Sequence, residues 1–206
     1  MNDWLVRVAR TALMGGLLVL AGCAGSEPVR YYVLSAASEA APAGPGGAAT
    51  RDIAVGVGPV ELPEYLDRPQ IVTRTSRNAL NMADFDLWAE SLKDNTVRVL
   101  AENLAALLPS QRVSIYPWKR ATPIDYQVAV QVTRFDRLEN GESVLAARWR
   151  VLDGGGRELL SRTSSYRETS AGPDYAATVA AMNQNLEAFS RDVALRIGEL
   201  SNGSGR

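Results

Sequence analysis

The sequence predicts an α/β domain of the α+β type: a mostly antiparallel or mixed sheet of about five or six strands, with two amphipathic helices packed on one face. Two segments repeat apolar residues at helical spacing, and three segments between them alternate apolar and polar residues at the period of a strand. Tight-turn sequences separate these three strands, which favours an antiparallel meander. Once a 22-residue leader is removed from the 206 residues, the chain is still long enough for a single domain with a sizeable core.

The leader, residues 1–22, has the profile of a secretory signal peptide. Arg7 and Arg10 form a basic start, and Thr11–Leu20 is an apolar run shorter than the roughly 20 residues that cross a bilayer. Small residues then precede Cys23, and the tetrad LAGC at 20–23 resembles the lipobox of bacterial lipoproteins. The resemblance implies that the Cys23 thiol carries diacylglycerol and that the signal is cut before Cys23. The new amino terminus would then be acylated too, and no other cofactor is expected.

Other roles for Cys23 lack the residues they need. A structural or redox cysteine more often has a second cysteine as its partner, and a nucleophilic one needs a base such as histidine. The chain has one cysteine and no histidine, which leaves an ordinary signal peptide or a misread start as the alternatives to lipidation. No aspartate stands at the second position after Cys23, which by resemblance to lipoprotein sorting in Gram-negative bacteria implies the outer membrane, on its periplasmic face.

The domain is expected to begin close to its anchor. Residues 23–30 form the lipidated cysteine and a short tether, whose seven residues Ala24–Arg30 reach at most about 25 Å. The folded domain then covers 31–200, starting with a strand at Tyr31–Leu34. Residues 35–50, almost entirely Ala, Gly, Pro and Ser, predict a flexible surface loop.

A proline-rich segment follows the next strand. Ile53, Val55 and Val57 alternate with alanine and glycine, which predicts a strand with one apolar and one nearly bare face. Prolines cannot donate to a sheet ladder, so the segment from Pro59 to Pro69 is expected at an edge or in a loop that crosses an edge. A strand resumes at Ile71–Thr75.

The two helices are predicted from apolar stripes. In the first, Ser91 and Asp94 resemble a capping box and Pro109 ends the helix. Its apolar stripe is Val97, Leu100, Leu104, Leu107 and Leu108, and its polar side is Lys93, Arg98, Glu102 and Asn103. The second helix runs from a cap at Asp174 to Leu200, and residues 201–206 are expected to be a disordered tail. The apolar stripe of the second helix is Tyr175, Val179, Met182, Leu186, Phe189, Val193 and Ile197.

A short strand is expected at Val113–Tyr116, before the meander. Its three strands are predicted around 126–133, 145–151 and 160–167, with turns at Asn140-Gly141 and at Asp153–Arg157. Alternation places Trp149 in the core and Arg148 and Arg150 on the solvated face.

Composition excludes several classes of function. Without histidine there is no Ser-His-Asp triad and no histidine metal site, and no carboxylates show ligand spacing, so no metal, no catalytic residue and no enzymatic activity are expected. The mature chain would carry 20 basic and 22 acidic residues, which argues against nucleic acid as a partner. The glycines of Asp153–Arg157 lack the Lys-Ser/Thr ending of a phosphate loop.

Several segments resemble one family, the periplasmic lipoproteins of the PqiC/YmbA type, also called ABC-type transport auxiliary lipoprotein components. The resemblance spans essentially the whole mature chain. It is carried by the lipobox, YYVL at 31–34, GPVELPEYLDRPQIVTR at 58–74, WAESL at 88–92 and RVLAENLAALLP at 98–109. One departure is Ser91, where the family form WAEPL has proline, and serine there is compatible with a helix start.

The resemblance implies a non-catalytic subunit of an intermembrane phospholipid transport system. The partner would be an MCE-domain protein that spans the periplasm, and the lipoprotein would form a ring-like homo-oligomer that docks it at the outer membrane. The partner or oligomer surface expected on this basis is Pro59, Leu62, Pro63, Tyr65, Leu66, Arg68 and Pro69, although Tyr65 and Leu66 could instead fill their own core. Two other functions stay open: a lipid-binding carrier, and an envelope hydrolase that would use carboxylates or a serine-lysine pair with Lys93 or Lys119.

Overall fold

The computed structural model describes residues 27–37, 52–109 and 112–203. The predicted signal peptide, Cys23 and most of the predicted loop 35–50 lie outside the described residues. The first three residues of that loop, 35–37, are described and have no regular secondary structure: the amide of Ser35 donates to Asn183 Oδ1 at 3.1 Å, and the amide of Ala37 donates to Asn103 Oδ1 at 3.0 Å. These bonds hold the start of the segment against both helices.

Eight strands and two helices make up the described fold, so the predicted class is confirmed and the predicted number of strands was too low. The strands are β1 (Arg30–Tyr32), β2 (Val55–Glu61), β3 (Gln70–Arg74), β4 (Leu80–Trp88), β5 (Val113–Ile115), β6 (Tyr126–Arg137), β7 (Glu142–Asp153) and β8 (Glu158–Thr169). The helices are α1 (Leu92–Leu107) and α2 (Tyr175–Gly203), and a 3-10 turn occupies Glu64–Leu66. Helix α2 includes Ser201–Gly203, so that part of the predicted disordered tail is helical.

The meander β6–β7–β8 is confirmed. Both pairs are antiparallel along nearly their full length, and Gly141 (φ +87°) and Gly156 (φ +85°) take the left-handed backbone conformations of the two turns. Trp149 is 1% exposed and packs edge-on against Phe189 of α2, with ring centroids 5.9 Å apart. The meander therefore supplies the sheet surface on which the long helix lies.

On the side of β6 away from β7, two different strands share the edge of β6. Strand β2 pairs in parallel with the first half of β6 and, on its other side, with β5. Strand β3 pairs with the last residue of β6 and, on its other side, with β4, which in turn pairs with β1. The chain passes from β2 to β3 along this one side of β6 through the proline-rich segment. The segment therefore interrupts the sheet next to β6, and it does not lie at an outer edge as expected. Residues Val60 and Glu61, inside the expected loop, still pair with β6 beyond a bulge at Gly58-Pro59.

Strand β4 was not predicted from the sequence. Its residues LNMADFDLW do not alternate cleanly, and its buried positions include a carboxylate, Asp86, which is 4% exposed. A buried charge needs a partner, and the partner comes from β1. A search for alternating apolar and polar residues misses such a strand, because one of its buried positions carries an ion-paired aspartate instead of an apolar residue.

Both predicted helices are confirmed. Ser91 caps α1 by accepting from the Asp94 amide at 3.1 Å, and Asp174 caps α2 by accepting from the Ala177 amide at 2.7 Å. The placement of Asn103 on the polar side of α1 was wrong: it is 3% exposed and donates to Ser190 Oγ of α2 at 3.1 Å. A buried amide is stable here because both of its ends are hydrogen-bonded.

Candidate functional site

The first strand of the domain, β1, is held to the sheet by a buried carboxylate. Arg30 donates two hydrogen bonds to the Asp86 carboxylate of β4, from Nε to Oδ1 at 2.7 Å and from Nη2 to Oδ2 at 2.9 Å. The Tyr32 hydroxyl also donates to Asp86 Oδ1, at 2.8 Å. The hydrogen bonds from Arg30 hold the pKa of Asp86 below its ordinary value, so the carboxylate stays ionised at neutral pH.

This cluster fixes where the chain enters the domain. The Ala89 amide donates to the Tyr32 carbonyl at 2.9 Å, which continues the parallel β1–β4 pairing past the end of β4. Cys23 itself lies outside the described residues, four positions before the first of them, Glu27.

The residues of the predicted partner surface differ in how far they are buried. Pro59 and Pro69 are exposed, and Leu62, Pro63, Tyr65 and Arg68 are half-buried. Leu66 is only 2% exposed and belongs to the core cluster, so its assignment to the surface was wrong and the core alternative holds for it. A leucine between two prolines fills the gap that the chain leaves when it departs from the ladder.

Tyr65 anchors the proline-rich segment to a buried carboxylate on β6. Its hydroxyl donates to Asp136 Oδ2 at 2.9 Å, and Arg74 of β3 donates Nη2 to the same oxygen at 3.1 Å. Asp136 is fully buried, and the Arg74 guanidinium lies 5.7 Å from the centre of the Tyr65 ring. Burial, and then the charge of Asp136, raises the pKa of Tyr65 to about 12. The phenol therefore remains a hydrogen-bond donor at any physiological pH.

The two most specific segments of the sequence meet on the surface. The Trp88 amide donates to the Pro69 carbonyl at 2.7 Å, which joins the end of the proline-rich segment to the start of WAESL. Around this bond is an open pocket of about 370 Å³. Its lining comes from the ranges 67–69 and 88–91. We call it the motif pocket.

A second groove adjoins the motif pocket through Glu90, which lines both. It has a volume of about 560 Å³ and lies between the start of α1, the bulge of β2 and the end of β5. Pro59 contributes to it, together with Ile115 and Tyr116, which are 45% and 51% exposed. Neither Ile115 nor Tyr116 was predicted as a surface residue, because Val113–Tyr116 reads simply as a short strand.

The glycines of β2 explain the shape of this groove. A Cβ at Gly56 would lie 2.7 Å from the Trp118 ring, and one at Gly58, where φ is +119°, would lie 2.8 Å from the Tyr116 Cβ. The bare face of the strand therefore lets the segment after β5 pack onto the backbone. Tyr116 and Trp118 meet edge to face there, with ring centroids 5.4 Å apart.

Other candidate chemistry is sparse in the described part of the chain. Across 27–37, 52–109 and 112–203, no three His, Cys, Asp or Glu side chains are grouped so that they could hold a metal ion. Within the same ranges no helix has the length and apolar character needed to cross a membrane. Lys93 and Lys119, the two lysines of the serine-lysine alternative, both lie exposed at the surface.

Comparison with known proteins decides the family. The sequence model of the ABC-type transport auxiliary lipoprotein components matches residues 32–194, which contain β2 to β8, α1, α2 as far as Ala194, and both specific segments. This chain belongs to that family. The family is one of auxiliary lipoproteins of transport systems, so the resemblance seen in the sequence is confirmed.

Among relatives in this family, the intermembrane transport lipoprotein PqiC of Escherichia coli K12 is 28% identical over 150 residues, which cover 72% of this chain and 73% of the relative. The protein of the same name from Shigella flexneri gives the same values. A crystal structure of an uncharacterized protein aligns with a TM-score of 0.68 at 22% identity, covering 83% of this chain and 99% of that one. A protein from Xanthomonas campestris aligns with a TM-score of 0.64 at 19% identity, covering 85% and 99%. These two structures support the fold.

Proposed function

We propose that this family member is a non-catalytic lipoprotein subunit of an MCE-type system that moves phospholipid between membranes and so maintains the envelope. It is anchored by acyl chains on Cys23 to the periplasmic face of the outer membrane. As a ring-like homo-oligomer it docks the far end of an MCE-domain protein. The observation that carries the proposal is the family match over 32–194, together with a relative named as an intermembrane transport lipoprotein.

The packing of the domain favours docking over carrying. A lipid carrier needs a large apolar cavity, and the space between sheet and helices is instead filled by large side chains. Trp149, Phe135 and Phe189 are each at most 1% exposed and stand between β6, β7 and α2. The described clefts are open at the surface and lined partly by charged groups such as Arg68 and Glu90. The motif pocket and the groove beside it are the proposed docking surface.

The position of the anchor supports a bridge between two membranes. A bridge needs a fixed end, and the Arg30–Asp86 pair ties β1 rigidly to the sheet a few residues after Cys23. Three acyl chains hold far more strongly than the single chain that gives only reversible binding. The domain would therefore stay at the membrane surface and keep the docking surface there for the partner protein.

The anchoring is tested by Cys23→Ala, with Ser26→Ala in the same tether as the matched control. Cys23→Ala is expected to release a folded protein into the periplasm and to leave cells as sensitive to detergent as a deletion strain, whereas Ser26→Ala behaves as wild type. Affinity purification of the Ser26→Ala protein from membranes should recover an MCE-domain protein, and light scattering should give several times the mass of one chain. Full complementation by soluble Cys23→Ala protein would overturn the anchoring role. Phospholipid bound to the delipidated domain would favour a carrier instead.

A further inference from the structure

The segment just after the tether exposes apolar side chains in an unusual density. Seven large hydrophobic residues among those the structure describes are notably exposed, and three of them fall within five consecutive positions. These are Val29, Tyr31 and Val33, at 45%, 66% and 48% exposure. We call them the β1 stripe.

The alternation of β1 places the stripe on one side. Tyr32 and Leu34 point inward, with Leu34 fully buried, so the residues between and around them point outward. Tyr31 stands in register with Leu87 of β4, a half-buried residue on the same side of this parallel pair. The apolar surface therefore extends from the edge strand onto its neighbour.

The outward positions at the other end of the sheet are different. On β7 and β8 they are occupied by polar residues such as Arg148 and Thr163, which stand opposite each other and are both exposed. A solvated sheet face normally shows this polar pattern. The apolar stripe at the β1 edge departs from this pattern, so we expect another apolar or amphipathic surface to contact it.

The length of the tether identifies that neighbour. Val29 is only six positions after Cys23, so the two α-carbons are at most about 20 Å apart. The headgroup layer of a bilayer is roughly 5–8 Å thick on each side, which puts the stripe within reach of the membrane that holds the lipid. Tyrosine is enriched at that interface because its ring is apolar and its hydroxyl polar.

We propose that the β1 stripe rests in the headgroup region of the membrane that carries the Cys23 lipid, so that the domain docks with β1 toward the bilayer in one orientation. This inference rests on the proposed lipidation of Cys23. The Arg30–Asp86 pair lies on the inward side of the same strand, so β1 cannot turn its apolar side away without breaking the pair. The lipid and the stripe together then act as two points of attachment.

The test uses the full acylated lipoprotein in vesicles of phosphatidylethanolamine and phosphatidylglycerol. Because Cys23 is the only natural cysteine and is acylated, Tyr31→Cys offers a single thiol for a nitroxide label. Thr163→Cys, at an outward position on the far edge strand β8, is the matched control. Both positions are exposed, and circular dichroism verifies that both variants fold.

The label at position 31 is expected to be several-fold less accessible to a water-soluble nickel chelate than the label at 163, and several-fold more accessible to oxygen. Equal accessibility at both positions in protein that floats with the vesicles would overturn the stripe contact and leave the anchor intact. Protein that does not float would overturn the anchor and the stripe together. Spectral broadening at position 31 that vanishes on dilution with unlabelled chains would place the stripe against a second copy, which also overturns the membrane contact.

The stripe itself can also be removed. The triple change Val29→Ser, Tyr31→Ser and Val33→Ser alters only exposed side chains and leaves Arg30 and Tyr32 in place. The comparison is made in protein without the lipid, so both variants carry Cys23→Ala. With the native stripe, vesicle binding is expected to be weak but measurable. With the triple change, it is expected to be several-fold weaker still. No difference between the two would contradict the proposal.

Discussion

Arg30 and Asp86 form a two-pronged ion pair that joins the first strand of the domain to a strand more than fifty residues later in the chain. The pair is asymmetric: the Asp86 side chain is 5% exposed, whereas that of Arg30 is 51% exposed. The carboxylate therefore depends on this arginine and on Tyr32 for its hydrogen bonds, while the arginine could be solvated without them. The attachment of β1 to the sheet thus depends on the charge state of one buried aspartate.

Asp86→Asn is expected to loosen β1 in a pH-dependent way. Because the folded-state pKa of Asp86 lies below its ordinary value of 3.8, its stabilising effect is present above that value and is lost as the pH falls through the folded pKa. Hydrogen exchange should show a several-fold lower protection factor for the Ala89 amide in the variant at neutral pH. Below about pH 4 the difference from wild type should shrink.

Asp84→Asn, on the same strand but exposed, is the control for that experiment and should leave the protection of Ala89 unchanged. A difference between Asp86→Asn and wild type that stays constant down to strongly acidic pH would contradict the role of the ionised carboxylate.

A second prediction concerns the buried cluster under the proline-rich segment. Asp136→Ala would leave the Arg74 side chain, which is 15% exposed, without its counter-charge. Breaking such a pair typically costs about 3–5 kcal/mol of unfolding free energy. Tyr65→Phe removes one hydrogen bond to the carboxylate and should cost less, about 1.5–3 kcal/mol. Urea denaturation monitored by tryptophan fluorescence measures both.

Glu139→Ala, an exposed residue two positions past the end of β6, serves as the control and should be neutral within error. If Asp136→Ala were as stable as Glu139→Ala, the cluster would not be what holds the proline-rich segment in place. If Tyr65→Phe cost more than Asp136→Ala, the hydrogen bond of the Tyr65 hydroxyl rather than the Arg74–Asp136 ion pair would be the larger contribution.

The regular parts of the fold were predictable because their signals are local. The meander and both helices follow from periods of two and of about three and a half residues, and Trp149 was assigned to the core by alternation alone. Strand β4 was missed because Asp86 occupies a buried position that is stable only with Arg30, and Asn103 was misplaced because its burial depends on Ser190. Such pairings exist only after the chain has folded.

The candidate site was predictable in part for the same reason. The prolines correctly indicated a break in hydrogen bonding, but their place beside β6 follows from the way β2 and β3 share one side of that strand. The segment 58–74 and the WAESL segment were identified separately by resemblance. Nothing in their spacing reveals that Pro69 and Trp88 are hydrogen-bonded and so form one surface.

The last prediction tests the motif pocket as a docking surface, through Asp67→Arg. Asp67 is exposed at the rim of the pocket, and only its backbone amide supports the 3-10 turn, by donating to the Glu64 carbonyl. Reversal of its charge should therefore leave the melting temperature unchanged while it lowers, several-fold, the recovery of the proposed MCE-domain partner in affinity purification. Glu158→Arg makes the same change of charge at an exposed position on β8 and should retain full recovery. Full recovery with both variants would exclude the rim of the motif pocket from the docking surface. An equal loss with both variants would instead indicate a general effect of net charge. A specific interface distinguishes between the two positions, whereas long-range electrostatic steering does not.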